Sequence, residues 1–254
     1  IQPMLDVRLF RNTVFTGAIT ANLISMMVDV GFIYFASQHL QLVSGLPPMY
    51  AGMLLIPGTL ATIIAGLVIA RVAVHFHPAQ VVSFGLALNA AAFAVLAFLG
   101  AHSDVVIILI FIVLGTGIGI AQTISNDLML SSVPPRKAGA ASAISETSYE
   151  TGAVLGAVII GGMLTAVYRA NVVVPAGLHE TLADNAHETL GGAVTVASQV
   201  GGEQANQLLS SAFAAFDSGV VLSSAFSAVL MGVMAVISYL MIRKAPREMK
   251  PAEH

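Results

Sequence analysis

The chain has 254 residues, of which 57 % are apolar and only 9 % charged, where a water-soluble domain carries about 25 % charge. Together with a mean hydropathy of +0.88, this excludes an ordinary soluble fold and points to an integral membrane protein. A net charge of −3 without a basic stripe argues against nucleic acid as a partner, and the lack of cysteine removes disulfides, zinc-thiolate sites and thiol nucleophiles.

The opening residues, Ile1-Gln2-Pro3-Met4-Leu5-Asp6, begin with Ile and show no signal peptide. They read as a cytoplasmic linker (1–12) and lead us to expect a piece of a longer polypeptide. A helix needs about 20 apolar residues to cross a hydrocarbon core of about 30 Å, and six such runs follow: 13–36, 50–70, 80–100, 105–128, 139–167 and 219–242. They are too long and continuous for the alternating strands of a barrel. The expected fold is therefore all-α, with six transmembrane helices: spans one to five within 13–167, the last span at 219–242 and a cytoplasmic tail at 243–254.

Turn chemistry separates the runs at Gly45-Leu46-Pro47-Pro48, Pro78, His102-Ser103-Asp104 and Pro134-Pro135. The long polar stretch 168–218 contains Pro175, Gly191-Gly192 and Gly201-Gly202, which predict two or three short helices folded as a hairpin. Its acids, Glu180, Asp184, Glu188, Glu203 and Asp217, read as a solvated face. Arg8, Arg11, Arg71, Arg136, Lys137, Arg243, Lys244, Arg247 and Lys250 fall on one side of the six runs, and only Arg169 on the other. The positive-inside rule then puts both ends of the chain in the cytoplasm of a multi-pass inner-membrane protein, and 168–218 outside.

Four carboxylates fall within spans: Asp29, Asp127, Glu146 and Glu150. A charge at a helix centre costs about 2.5 to 3.5 kcal/mol on insertion scales, so such groups mark cavities, partners or proton paths. No span contains a cation to pair with them, and an unpaired carboxyl in low dielectric is held most cheaply as the neutral acid. Glu146 and Glu150 are about 40° apart around one helix, so they address the same space and titrate as a coupled pair. They stand roughly 10 and 16 Å above the cytoplasmic end of span five. The plain alternative is that each bonds a neighbouring helix.

Asp29 shares a face with Asn22, beside Met26 and Met27. Phe32, Tyr34 and Phe35 lie near it in sequence and are expected to offer ring faces to an organic cation. Asp127, beside Asn126, reads as a gate, cap or solvated residue near the end of span four. Gly115 and Gly119 in span four, and Gly152 and Gly156 in span five, have the spacing that lets helix backbones approach closely in lipid. We expect these contacts to serve packing or gating. The histidines lie in loops or at span ends, and His75 and His77 alone make a poor metal signature. No phosphate-binding loop or serine elbow is present, so neither enzyme, cofactor nor metal is suggested.

Two stretches resemble the carboxy-terminal half of the fourteen-span drug:proton antiporters of the major facilitator superfamily, the multidrug and quaternary-ammonium efflux pumps. One is Gln38-His39-Leu40-Gln41-Leu42-Val43-Ser44-Gly45-Leu46-Pro47-Pro48 with Ala51-Gly52 and Leu55-Ile56-Pro57. The more specific is Ala138-Gly139-Ala140-Ala141-Ser142-Ala143-Ile144-Ser145-Glu146-Thr147-Ser148-Tyr149-Glu150-Thr151-Gly152. The resemblance implies proton-coupled efflux by alternating access, with protons and amphipathic cations binding at Asp29, Glu146 and Glu150. Met26, Phe32, Tyr34, Tyr149 and Asn22 would line the substrate site, and an amino-terminal half would complete it within the bilayer. This chain departs from the pattern at Ser145, where some pumps carry a further acid. A lipid, siderophore or other lipophilic metabolite is the alternative cargo, and a non-transporting scaffold or sensor the alternative class.

Overall fold

The structure is a computed structural model describing residues 7–101 and 103–244. The linker residues 1–6, His102, Arg247 and Lys250 lie outside the described residues. All the described secondary structure is helical. Six segments are long and apolar enough to span a membrane: Thr13–Val43, Pro48–His75, Pro78–Leu99, Asp104–Ser131, Pro135–Asn171 and Gly202–Ile242.

Asn12 caps α1 (Thr13–Gln38) by accepting the Val14 N–H at 3.0 Å, and a π-turn, His39–Val43, carries the helix seven residues past the expected span. Pro48 opens α2 (Pro48–Val72), where its missing N–H costs nothing. The His77 side chain accepts from Ala79 N–H to start α3 (Pro78–Leu99), which stops at Gly100 with φ 70°. Then follow α4 (Asp104–Ser131) and α5 (Ala138–Leu155), and a second π-turn, Gly156–Ile160, leads into α6 (Gly161–Asn171).

The segment 168–218 ends differently from the loop expected of it. Only α7 (Glu180–Glu188) and α8 (Leu190–Val200) are separate short helices. Residues 202–218 belong to α9 (Gly202–Ile242), a single helix of 41 residues, about 62 Å long at 1.5 Å per residue. It runs far beyond a hydrocarbon core of about 30 Å. Pro175 opens no helix, and Gly191-Gly192 lie inside α8 rather than between helices; Thr189 makes the break and caps α8 through Gly192 N–H. Gly201, with φ 66°, does separate α8 from α9. The hairpin is tied to the bundle by Tyr168 Oη donating to Ala186 O at 2.8 Å and by Arg169 Nε donating to Glu188 O at 3.1 Å.

In the bundle, α3 packs on α9 and α4, α4 on α2, and α1 on α4, α5 and α9. The surface is apolar and the interior holds polar groups. Phe98, Val229 and Phe84 are among the large side chains that stand exposed, whereas Asn22, Asn89, Ser125, Ser223 and Ser224 are buried. In water that apolar area would drive association; in a bilayer it is the solvated face, and small and polar side chains hold the helices together. The chain is a multi-pass membrane protein. α2 packs chiefly on α4 and buries only Ala51 and Gly58.

Two ladders of small residues account for the closest packing. Along α2 and α4, Gly115 sits on the Gly58 carbonyl and Thr62, and Gly119 on Thr62 and Gly66. Along α1 and α5 with its following π-turn, Gly152 sits on the Leu23 carbonyl, Gly156 on the Met27 carbonyl, and Gly31 on Ile160. A Cβ at any of these glycines would collide with the facing helix. All four glycines singled out from the sequence are contact points; their partners on α1 and α2 were not legible from spacing.

Candidate functional site

Three helices meet at a polar junction inside the bundle. From α1, Asn22 Nδ2 donates to Asn126 Oδ1 of α4 at 3.1 Å. Asn126 Nδ2 donates in turn to the Tyr149 hydroxyl of α5 at 2.8 Å, and Ser145 Oγ approaches Asn126 Oδ1 at 3.4 Å. Asn126 is thus the hub, holding α1 and α5 to α4 by its one carboxamide. Sequence reasoning singled out Asn22 and Tyr149 but treated Asn126 only as the neighbour of Asp127. A polar carboxamide in an otherwise apolar run was the available signal.

Glu146 follows Ser145, and Glu150 follows Tyr149, so the two carboxylates lie about 100° around α5 from the junction. They are not buried by these six helices, contrary to the expectation from the sequence. Both are exposed, along with Ser142, Thr147 and Thr151, and neither has a hydrogen-bond partner among the described residues. Among the described residues, neither glutamate makes the bond to a neighbouring helix that the plain alternative requires. Five polar residues on one open helix face are costly against hydrocarbon, which favours a water-filled or protein-covered surface there.

Asp29 is half-buried on α1, without a hydrogen-bond partner among the described residues. It stands two turns along from Asn22 on nearly the same face, about 10 Å away along the axis. Met26, one turn from Asp29, is half-buried against Gly152. Met26 thus packs between α1 and α5, Asn22 and Tyr149 meet through Asn126 of α4, and Asp29 continues the Asn22 face of α1.

The aromatic residues expected around Asp29 are placed otherwise. Phe32 is 0 % exposed, stacked on Phe111 at 5.1 Å and edge-on to Phe35 at 4.8 Å and Phe93. Its faces are occupied by other rings, so it belongs to the core rather than to a cation site. Tyr34 is about 140° around α1 from Asp29. It is exposed beside Gly161, lining a 530 Å³ groove that also contains Arg169. A cationic neighbour makes that groove a poor place for a cationic ligand. Asp127 is exposed on α4 and bonded to nothing among the described residues.

A second polar cluster lies at the end of the bundle that carries the hairpin. His39 Nε2 is 3.3 Å from Asp104 Oδ1, and Ser44 Oγ donates to the same oxygen at 2.6 Å. Asp217 Oδ1 accepts the Ala101 N–H at 2.7 Å. All four polar side chains line one cavity of about 820 Å³. From sequence, Asp104 was a turn residue, Asp217 a solvated loop acid and His39 a span-end residue. The fold buries His39 to 4 % exposure and brings the three elements together.

Residues 2–157 match the Major Facilitator Superfamily. The chain is 44 % identical over 243 residues to the multidrug efflux pump LfrA of Mycolicibacterium smegmatis, covering 95 % of this chain and 48 % of that protein. It is 32 % identical over 253 residues to the methyl viologen resistance protein SmvA of Salmonella typhimurium, covering 97 % and 50 %. It is 25 % identical over 264 residues to the tetracenomycin C resistance and export protein of Streptomyces glaucescens, covering 99 % and 48 %. The chain spans about half the length of these curated relatives. By the family match over most of its length, and by its bundle of membrane-spanning helices, this chain belongs to the Major Facilitator Superfamily.

Proposed function

We propose that the chain is the carboxy-terminal half of a fourteen-span efflux transporter that exports amphipathic organic cations in exchange for protons. The observation that carries this reading is the open polar face of α5. Glu146 and Glu150 stand there without a cationic partner among the described residues, next to the Asn22–Asn126–Tyr149 junction. A carboxylate facing a shared cavity binds either a proton or an organic cation, and exchange follows from that competition. Asp29 contributes a third carboxyl from α1. The names of two relatives speak of multidrug efflux and methyl viologen resistance, and methyl viologen is an organic dication, which supports a cationic cargo.

Alternating access then consists of rocking this six-helix body against an amino-terminal half around the carboxylates. The basic residues Arg11, Arg71, Arg136, Lys137, Arg243 and Lys244 lie at the end opposite the hairpin by chain order, which supports a cytoplasmic placement of that end. The test is efflux of a cationic dye from cells expressing the full-length protein, with and without a proton gradient. The expected result is gradient-dependent efflux that falls in Glu146→Gln, Glu150→Gln and Asp29→Asn. Wild-type rates in all three variants would overturn the assignment.

A further inference from the structure

The cluster at the hairpin end is separate from the α5 carboxylates and is built around an irregular turn. Where α1 passes into the π-turn His39–Val43, the Ser44 N–H bonds the His39 carbonyl five residues back, at 3.0 Å. Such wide turns occur mostly as single-turn bulges within helices, frequently at functional sites. The two residues that bracket this one converge on a single atom. His39 Nε2 and Ser44 Oγ both contact Asp104 Oδ1, at 3.3 and 2.6 Å, and Asp104 is the first residue of α4.

We propose that His39, Ser44 and Asp104 form a proton-operated latch that fixes the π-turn of α1 to the start of α4, closed when His39 is protonated and loosened when it is neutral. A histidine is the side chain whose ordinary titration falls between about pH 5 and 8. In its charged form the contact with Asp104 is a charge-assisted pair, roughly twice as strong as a neutral hydrogen bond. Burial does not isolate the imidazole from protons, because His39 lines the same 820 Å³ cavity as Asp104, Ser103 and Asp217.

Among the described residues, few other ionisable groups face the π-turn. Of the elements packed on the π-turn, α8 carries no ionisable side chain and α2 brings only Tyr50 at its near end. On α1 itself, Tyr34 and Asp29 lie five and ten residues back. From α9, Asp217 lines the cavity with Oδ1 on the Ala101 N–H. The neighbouring His102 lies outside the described residues. Asp104 and Asp217 are the carboxylates that line the cavity with the imidazole, and the latch closes from the hairpin side as that side becomes acidic.

The latch rests on the transport reading only for its use, so it is tested by a measurement that does not need transport. Amide hydrogen exchange of residues 39–46 is followed in the full-length protein in lipid nanodiscs between about pH 5.5 and 8.5, expressed as protection relative to the free peptide. Protection is expected to fall about tenfold as pH rises. It should be flat in His39→Gln and Asp104→Asn, while Ser44→Ala keeps the pH step at lower overall protection. Thermal unfolding of each variant reports whether it has folded. Flat protection in the wild type, or an unchanged pH step in folded His39→Gln, would overturn the latch. A wild type that shows the pH step but no dye efflux would overturn the transport reading and leave the latch standing.

Discussion

The Asn126 carboxamide nitrogen donates to the Tyr149 hydroxyl at 2.8 Å, while its oxygen accepts from Asn22 at 3.1 Å. One side chain on α4 thereby couples two helices that each carry a carboxylate of the proposed site. Replacing Asn126 by Leu removes both bonds together with the longer one from Ser145, and leaves Asn22 with no polar partner among the described residues. Interhelical hydrogen bonds in membranes average about 0.6 kcal/mol and reach about 1.7, so the thermal midpoint is expected to drop modestly. Dye efflux should fall further than stability does, because the relative positions of Asp29 and Glu150 depend on the same bonds. Tyr149→Phe, which breaks only one bond, should show a smaller loss in both measurements.

Glu146→Gln and Glu150→Gln should behave in the opposite way. Neither carboxylate has a hydrogen-bond partner among the described residues and both are exposed. Exposed substitutions without lost contacts stay within about 0.5 kcal/mol. Unfolding of the purified full-length protein is therefore expected to be unchanged while efflux falls. Loss of stability equal to that of Asn126→Leu would show that the glutamates hold the fold instead.

The α1–α5 ladder makes a steric prediction. A methyl group at Gly156 would meet the Met27 carbonyl oxygen, and at Gly152 the Leu23 carbonyl oxygen. Overpacking of this kind costs about 1 to 3 kcal/mol, so Gly152→Ala and Gly156→Ala should lower the thermal midpoint measurably. Gly162→Ala, with nothing within 4 Å of its added Cβ, is the control and should unfold as the wild type does.

Phe32→Ala separates core from site. The ring is fully buried against Phe111, Phe35 and Phe93, and large-to-small changes at such positions cost about 3 to 5 kcal/mol. Poor folding and low abundance are expected, with Phe32→Leu largely rescuing both. If folded Phe32→Leu lost cation efflux specifically, the ring would belong to the substrate site after all.

The hairpin is anchored by Tyr168 and Arg169 through main-chain carbonyls of α7. Tyr168→Phe keeps the ring in place and removes the bond to Ala186 O, a loss of about 1 kcal/mol. Hydrogen exchange of residues 180–188 should quicken in this variant while the six spans stay protected. Faster exchange throughout the bundle would instead make the hairpin a structural support for the whole fold.

Much of the architecture was legible in the chain because a bilayer imposes strict rules. Apolar runs long enough to span it mark helices, and the rarity of charge makes Asp29, Glu146 and Glu150 conspicuous without any contact information. Glycines spaced four apart likewise announced close packing on α4 and α5. What composition missed was continuity. The segment 202–218 is polar enough to read as loop, yet its backbone continues the helix of α9 because helical hydrogen bonding does not depend on an apolar environment.

The sequence by itself determined the membrane class, the six spans and the small set of intramembrane acids, since these depend on local composition and helical period. Only the tertiary structure decided which faces those residues occupy. It sealed Phe32 among other rings, left Glu146 and Glu150 on an open surface, and made Asn126 a hub. It also drew His39, Asp104 and Asp217 from three distant stretches into one cavity. Contacts between residues a hundred positions apart arise from how helices pack, and helix packing depends on pairs of surfaces that no single segment contains.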